Sequence, residues 1–253
     1  MIQPRVLTAA GAALLSACAS APATPPAPSF IVEGNASAAD AAAARAMAEA
    51  GRARIENFFG RSFATTPRLI VAGDRAGFDA AFPAEWGMTP TQCWMVGVGV
   101  ADFFALLAPS AWDAEACDHD NADTAEAQAL VIHELTHVYH GQYNPTGDFT
   151  GMDDIGWFVE GLAVLVSGQL EMRHADAAAS AIAAGAAPTA LASAWSGQYR
   201  YGVCGSMVQY IDERWGRETL TALLPATTQQ QVLDTLGVSE AQFLADWRAW
   251  ASR

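Results

Sequence analysis

Residues 131–139 read V-I-H-E-L-T-H-V-Y, and the motif H-E-L-T-H occupies 133–137. On a helix, His133 and His137 lie four residues apart and project from one face, so both imidazoles can reach a single metal ion. Glu134 lies about 100° round the helix from His133, where its carboxylate can hold and deprotonate a water molecule. This spacing predicts a metal-dependent hydrolase.

The residues around the motif favour a buried helix. The stretch 125–132 is helix-compatible and mostly apolar, and Asn144-Pro145 followed by Gly147 ends the helix. The alternative is a pair of core histidines next to a glutamate by chance. That alternative is the weaker one, because these polar groups are costly to bury without a metal or hydrogen-bonding partners.

A tetrahedral zinc held by two histidines and a water needs one more protein ligand. Glu160 is the preferred candidate, because it is a lone carboxylate in the apolar run 156–165. The alternative places Glu160 on the solvent face of an amphipathic helix. His140 lies on the same helix face as the motif histidines but further along the axis, so we interpret it as a supporting or surface group. Tyr143 stands where a metzincin has its third histidine, which excludes that class.

The two motifs together, H-E-L-T-H at 133–137 and W-F-V-E-G-L-A at 157–163, resemble the gluzincin zinc peptidases and, among them, the bacterial peptidase MA-like group. The resemblance implies one Zn²⁺ per chain and a glutamate, Glu134, that acts as general base. It also implies three protein ligands for the zinc: His133, His137 and Glu160.

The resemblance extends to 201–216, whose leading Tyr201 would donate a hydrogen bond to the oxyanion, with Tyr199 as its competitor. Such a donor stabilises the transition state increasingly as charge develops. The alternative is that Tyr201 only packs at the start of a helix. Residues 95–101 lack the acid that aminopeptidases of this class carry, which favours an endopeptidase.

The partners that orient the metal-binding histidines stay open. Thermolysin-like enzymes have an aspartate four residues after the glutamate ligand, but position 164 is valine. Asp153 and Asp154 are candidates from their position in the chain alone.

The N-terminal residues predict export. Residues 1–17 have the order of regions of a signal peptide, and L-S-A-C at 15–18 resembles a lipobox with Cys18 as the lipidated residue. Residues 18–29, rich in Pro and Ala, predict a tether, followed by one catalytic domain at 30–253 with lobes at about 30–143 and 144–253. We therefore expect a lipid-anchored protein of the bacterial cell envelope. Ala19 favours the outer membrane, with the domain facing the periplasm.

The formal net charge is -14, and all 13 basic residues are arginine. Such a chain is repelled by phosphate backbones, which argues against nucleic-acid binding and leaves a peptide or protein substrate plausible. Export also favours a disulfide. Cys93 and Cys117 are the preferred pair because they bracket the segment before the metal helix, and Cys204 is expected to be buried and free.

The fold expected is α+β: a small N-terminal mixed sheet with helices, a zincin active-site helix and a mainly helical C-terminal half. Strands are predicted at 30–32 and 67–73, with a hairpin or bulged edge strand over 93–107. Helices are predicted over 38–59, 74–82, 175–187, 201–215, 218–224 and 239–251. An exposed edge strand before the metal helix could pair with an extended peptide.

Two functions from different classes follow. The first is a zinc-dependent peptidase that hydrolyses peptide bonds in the cell envelope. The alternative is a non-catalytic zinc-binding envelope lipoprotein that serves as a binding or assembly module, and a zinc hydrolase with a non-peptide substrate ranks third. Glu134 favours the first, because a protein without catalytic demand has little physical reason to hold a carboxylate beside a metal site.

Overall fold

The computed structural model describes residues 29–253. The predicted signal peptide, Cys18 and all of the predicted tether except Ser29 lie outside the described residues. Within the described range the chain forms a four-stranded mixed sheet and eleven α-helices. This arrangement confirms the predicted α+β class with a helical C-terminal half.

The strands are β1 (Ile31–Glu33), β2 (Arg68–Ala72), β3 (Gly97–Val100) and β4 (Phe103–Leu107). The helices are α1 (Ala38–Phe59), α2 (Arg75–Asp79), α3 (Trp112–Glu115), α4 (Thr124–Tyr143), α5 (Gly156–Ser167), α6 (Gln169–Arg173), α7 (Ala177–Ala183), α8 (Arg200–Trp215), α9 (Arg217–Ala222), α10 (Gln229–Leu236) and α11 (Glu240–Ala251). The predicted helices over 38–59, 201–215 and 239–251 agree with α1, α8 and α11 within one residue.

The sheet has the strand order β1-β2-β4-β3. β1, β2 and β4 are parallel, whereas β3 runs antiparallel to β4 with Gly97 opposite Leu106. The predicted hairpin is therefore present, and β3 is an edge strand. It begins at Gly97 rather than Cys93, because a turn closed by the bond from Met95 N–H to Gln92 C=O precedes it. All five residues of β4 are buried, so this strand lies in the core.

Helix α1 packs against α4, the helix that carries His133 and His137. The Ser37 side chain accepts the Asp40 N–H at its start, and Gly60 adopts the left-handed conformation (φ 64°) at its end, as expected for helix caps. The close approach to α4 occurs at Gly51, where a Cβ would lie 3.1 Å from the Leu135 side chain and 3.2 Å from Ile132. The small residue lets the two helices pack tightly.

Helix α4 occupies the centre of the molecule. β3 crosses one side of it and α5 packs against another, while α8 packs on α5. The α5–α8 contact is also close, since a Cβ at Gly161 would lie 2.4 Å from the Cys204 carbonyl oxygen. These contacts bring the carboxylate of Glu160 on α5 and the start of α8 to the same side of α4.

The C-terminal half contains a helix that the sequence prediction lacks. α10 follows a capping box in which Thr228 and Gln231 satisfy each other's backbone N–H groups. Its run of glutamines hides the apolar periodicity of Val232, Leu233 and Leu236, which are buried. One continuous hydrophobic core runs through both predicted lobes. Within residues 29–253, no helix combines the length and apolar character that a membrane span requires.

Candidate metal centre

Three side chains from two helices converge on one point. His133 Nε2 lies 3.1 Å from His137 Nε2, and Glu160 Oε2 lies 3.4 Å from the first nitrogen and 3.7 Å from the second. Bonds of about 2.0–2.1 Å at the tetrahedral angle place two ligands of one zinc ion about 3.3 Å apart. The three atoms thus have the separations of ligands on a shared ion, and His133, His137 and Glu160 can hold a metal ion.

Neighbouring charges outweigh burial in setting the pKa of Glu160 and of His133. Burial alone would raise the pKa of Glu160, but the two imidazoles outweigh it and hold that pKa far below its usual range. Burial alone would lower the pKa of His133, but Glu160 and Glu134 outweigh it and raise that pKa. The site therefore favours positive charge beside Glu160 and Glu134. A metal cation at the same point satisfies this preference.

The ring of His133 is oriented by a residue that the sequence interpretation missed. Its Nδ1 lies 2.8 Å from Gln169 Oε1, so Nδ1–H donates to the amide oxygen and leaves Nε2 free to bind a metal. Gln169 reaches α4 because Gly168, with φ 85°, reverses the chain at the end of α5. Among the described residues, neither of the two aspartates considered earlier forms a hydrogen bond with His133 or His137. Asp154 accepts the Gln229 N–H, and Asp153 lines the wall of the cleft.

Glu134 lies between α4 and the edge strand. A Cβ at Gly97 would lie 2.8 Å from Glu134 Cγ, and a Cβ at Gly99 would lie 2.0 Å from the Glu134 carbonyl oxygen. Only glycine at these two positions lets β3 approach so closely. Burial raises the pKa of the Glu134 carboxyl, and His133 and His137 oppose that rise. The carboxyl is thus brought closer to the range in which it can exchange a proton near neutral pH.

Tyr201 lines the same cleft, at the first turn of α8. Its ring stacks on His174 with a centroid separation of 5.7 Å and meets Trp195 edge-on at 4.8 Å. Burial raises the pKa of the Tyr201 hydroxyl, which therefore keeps its proton at neutral pH. Tyr199 does not line this cleft; it lines a separate small pocket formed by residues 185–189, 193–194, 196–199 and 203.

His140 is not a surface group. It is fully buried, its Nε2 donates to the Leu224 carbonyl at 3.1 Å, and its ring packs against Phe149 and Phe158. Burial lowers the pKa of His140 to about 3, so it is neutral. The interpretation of His140 as a surface group is wrong, because sequence spacing alone does not reveal that the α9–α10 segment covers it.

The cleft above these residues has a volume of about 970 Å³. One wall is β3 with the segment 85–95 before it, the second is the loop 148–153, and the third is Trp195 with the start of α8. In the loop, Phe149 has φ 62° and its ring lies 5.9 Å from that of His137. A non-glycine residue in this conformation is strained and is held by its surroundings.

The wall before β3 is held in place by two kinds of bond. A disulfide joins Cys93 to Cys117 with a Cα–Cα distance of 5.4 Å, while Cys204 is free and buried. The Arg75 guanidinium donates to the carbonyls of Met95 and Glu115 on both sides of the disulfide. These bonds fix the rim of the cleft next to the edge strand.

Comparison of the chain with protein-family models, with curated proteins and with solved structures finds no match. The chemistry of the site therefore rests on its own geometry and on the resemblance of its motifs.

Proposed function

We propose that the protein is a zinc-dependent peptidase, with endopeptidase action as the preferred form. The observation that carries the proposal is the convergence of His133 Nε2, His137 Nε2 and Glu160 Oε2, with separations of 3.1–3.7 Å, in a cleft that also holds Glu134. Two imidazoles and one carboxylate suit zinc and leave one coordination position open, as catalytic zinc sites require.

A bound zinc would act as a Lewis acid toward the scissile carbonyl and would lower the pKa of a coordinated water. Glu134 accepts the proton of the attacking water and later passes it to the leaving amine. Its carboxylate is confined for this task, because β3 closes one side and its own helix the other. Gln169 holds the His133 ring in the required tautomer.

Tyr201 is the proposed hydrogen-bond donor to the oxyanion. It lines the cleft that contains the metal ligands, and its raised pKa preserves the donating proton. The competing residue Tyr199 lines a different pocket, and the imidazole of His140 is already engaged with Leu224. Preorganised donors of this kind stabilise developing negative charge.

The edge strand β3 offers a way to bind an extended polypeptide. It pairs with β4 on one side only, and its residues 97–100 line the cleft. A substrate strand can add to this edge through backbone hydrogen bonds, which are independent of sequence. Such binding does not require a chain terminus, and this supports the preference for an endopeptidase.

The cell envelope is the proposed location, with the lipid anchor at Cys18. This part of the proposal rests on the sequence of residues 1–29 and is consistent with the disulfide between Cys93 and Cys117, a bond that persists in oxidising compartments. The alternative function, a non-catalytic zinc-binding module, shares the same metal ligands and differs only in the absence of turnover.

The decisive experiment measures metal content and cleavage of a peptide library by the purified protein. Glu134→Gln keeps the shape of the side chain but removes its basicity, so we expect parental zinc content and at least a 100-fold loss of turnover. Glu126→Gln is the matched control, because Glu126 lies in the first turn of the same helix and does not line the cleft. Tyr201→Phe is expected to lower kcat and kcat/KM together.

Two results would count against the proposal. Turnover by Glu134→Gln at the parental rate would remove the general base. A parent that binds zinc but cleaves no peptide would favour the non-catalytic alternative.

A further inference from the structure

One cation stands out in the cleft. Among the residues that line it are five carboxylates, whereas Arg200 is the one arginine. The carboxylates are Glu85, Glu134, Asp148, Asp153 and Glu160. Away from the metal ligands, where Glu85, Asp148 and Asp153 line the walls, a negatively charged group is therefore repelled, and it is attracted at the start of α8.

The Arg200 guanidinium has no carboxylate partner among the described residues. Eight of the twelve described arginines form no ion pair within 4 Å, and Arg200 is the one among these eight that lines the cleft. Arg200 instead lies over two aromatic rings, with its Cζ 5.4 Å from the Trp195 centroid and 5.0 Å from the Tyr201 centroid.

This arrangement is suited to bind a carboxylate. The Arg200 side chain is exposed beside these rings, and the N–H edge of a guanidinium matches the two oxygens of a carboxylate. The rings also restrict the side chain before binding, which lowers the entropy lost when a ligand is bound. Because Arg200 is adjacent to Tyr201, a group bound to it lies close to the reacting bond.

We propose that Arg200 is a specificity residue that binds a carboxylate of the peptide substrate, one or two residues from the scissile bond. The inference rests on the proposed peptidase function, to which it adds a substrate class. The carboxylate can belong to an Asp or Glu side chain or to the C-terminus of the peptide. The first source gives cleavage beside acidic residues, and the second gives release of short C-terminal fragments.

The test is equilibrium binding, measured by calorimetry on zinc-loaded Glu134→Gln protein so that the peptides are not consumed. Each peptide is compared with a neutral partner. In one arm, a peptide with a free C-terminal carboxylate is compared with its C-terminal amide. In the other arm, a peptide with an internal Glu is compared with the same peptide carrying Gln. We expect one carboxylate form to bind about tenfold more tightly than its neutral partner, the scale of a charge-assisted hydrogen bond. The arm in which the difference appears identifies the source.

Variants then assign the preference to one side chain. Arg200→Met should abolish it, and Arg200→Lys should retain only a small part, because an ammonium lacks the bidentate edge. Arg214→Met is the matched control: Arg214 lies on the same helix, its Cζ is 5.2 Å from the Trp215 centroid, and it does not line the cleft. The control should keep the full preference.

The outcomes separate this inference from the proposed function. Equal binding of both forms, a preference that survives in Arg200→Met, or no binding of any peptide overturns the inference. If the parent cleaves peptides and Arg200→Met has unchanged kcat/KM for acidic and neutral substrates, only the inference fails. If Arg200-dependent carboxylate binding is found but the parent cleaves nothing, the peptidase function fails and the carboxylate site stands.

Discussion

Gly97 and Gly99 of β3 set the distance between this edge strand and α4. Substitution by alanine should have a different effect at each position. In Gly99→Ala the new Cβ would lie 2.0 Å from the Glu134 carbonyl oxygen and 2.8 Å from its carbonyl carbon. Both contacts are with backbone, so no side-chain rotation relieves them. Reaching an ordinary contact of about 3.2 Å or more requires β3 and α4 to separate by roughly 1 Å.

The size of the effect follows from that displacement. Forced separation of a packed strand and helix costs about 1–3 kcal/mol in the free energy of unfolding. A misplacement of about 1 Å near the reacting groups lowers turnover by about 100-fold. In Gly97→Ala the nearest atom is Glu134 Cγ at 2.8 Å, which belongs to a flexible side chain. That variant should stay close to parental stability but displace the carboxylate, and so lose turnover.

Urea denaturation, zinc content and peptide cleavage are measured on both variants. Gly156→Ala is the control, because Gly156 lines the same cleft, has φ -51°, and a Cβ there would lie no nearer than 3.7 Å to its neighbours. It should be at least as stable as the parent. Parental stability of Gly99→Ala would refute the close packing of β3 on α4. Full turnover by Gly97→Ala would refute the described position of Glu134.

Two further predictions concern buried polar groups. Gln169→Ala should weaken zinc affinity by about 10–100-fold, measured in competition with a chelator, because the His133 ring loses its hydrogen-bond acceptor. Gln169→Glu should restore the affinity, because a carboxylate oxygen also accepts. Equal zinc affinity of the parent, Gln169→Ala and Gln169→Glu would contradict the role of Gln169. The pKa of His140 is lowered to about 3 in the folded protein, against 6.5 in the unfolded chain. Between these two pH values only the unfolded state binds the proton, so the free energy of unfolding falls as the pH drops. His140→Gln can still donate to the Leu224 carbonyl but does not titrate. Between pH 7 and pH 5, its free energy of unfolding in urea denaturation should therefore fall by about 2 kcal/mol less than that of the parent. An identical pH dependence of the two proteins would refute this.

Local signals in the sequence were sufficient for the parts of the structure that depend on neighbours along the chain. The 38–59 helix is bounded by Ser37 and Gly60, whose capping chemistry is visible in the sequence. The spacing of His133 and His137 on one helix face is likewise a local property. The proximity of Glu160 to both histidines required only that α5 fold back on α4, and the length of the intervening chain allows it.

The features that the sequence did not predict depend on long-range packing. Gln169 meets His133 only because the left-handed turn at Gly168 returns the chain to α4, and nothing in its neighbours marks it as a partner. The burial of His140 depends on the segment that carries Leu224, far along the chain. The same holds for Arg200, whose lack of a carboxylate partner becomes visible only when the surrounding walls are in place.

The charges around His133, His137 and Glu160 are suited to a divalent cation. Burial and the neighbouring Glu160 both raise the pKa of Glu134, and two buried carboxylates are costly unless a positive charge lies beside them. A single cation with two positive charges neutralises both carboxylates and leaves the imidazoles neutral, the form in which they bind metal. Gln169 supports the same state, because a neutral amide oxygen orients the His133 ring without adding a third negative charge.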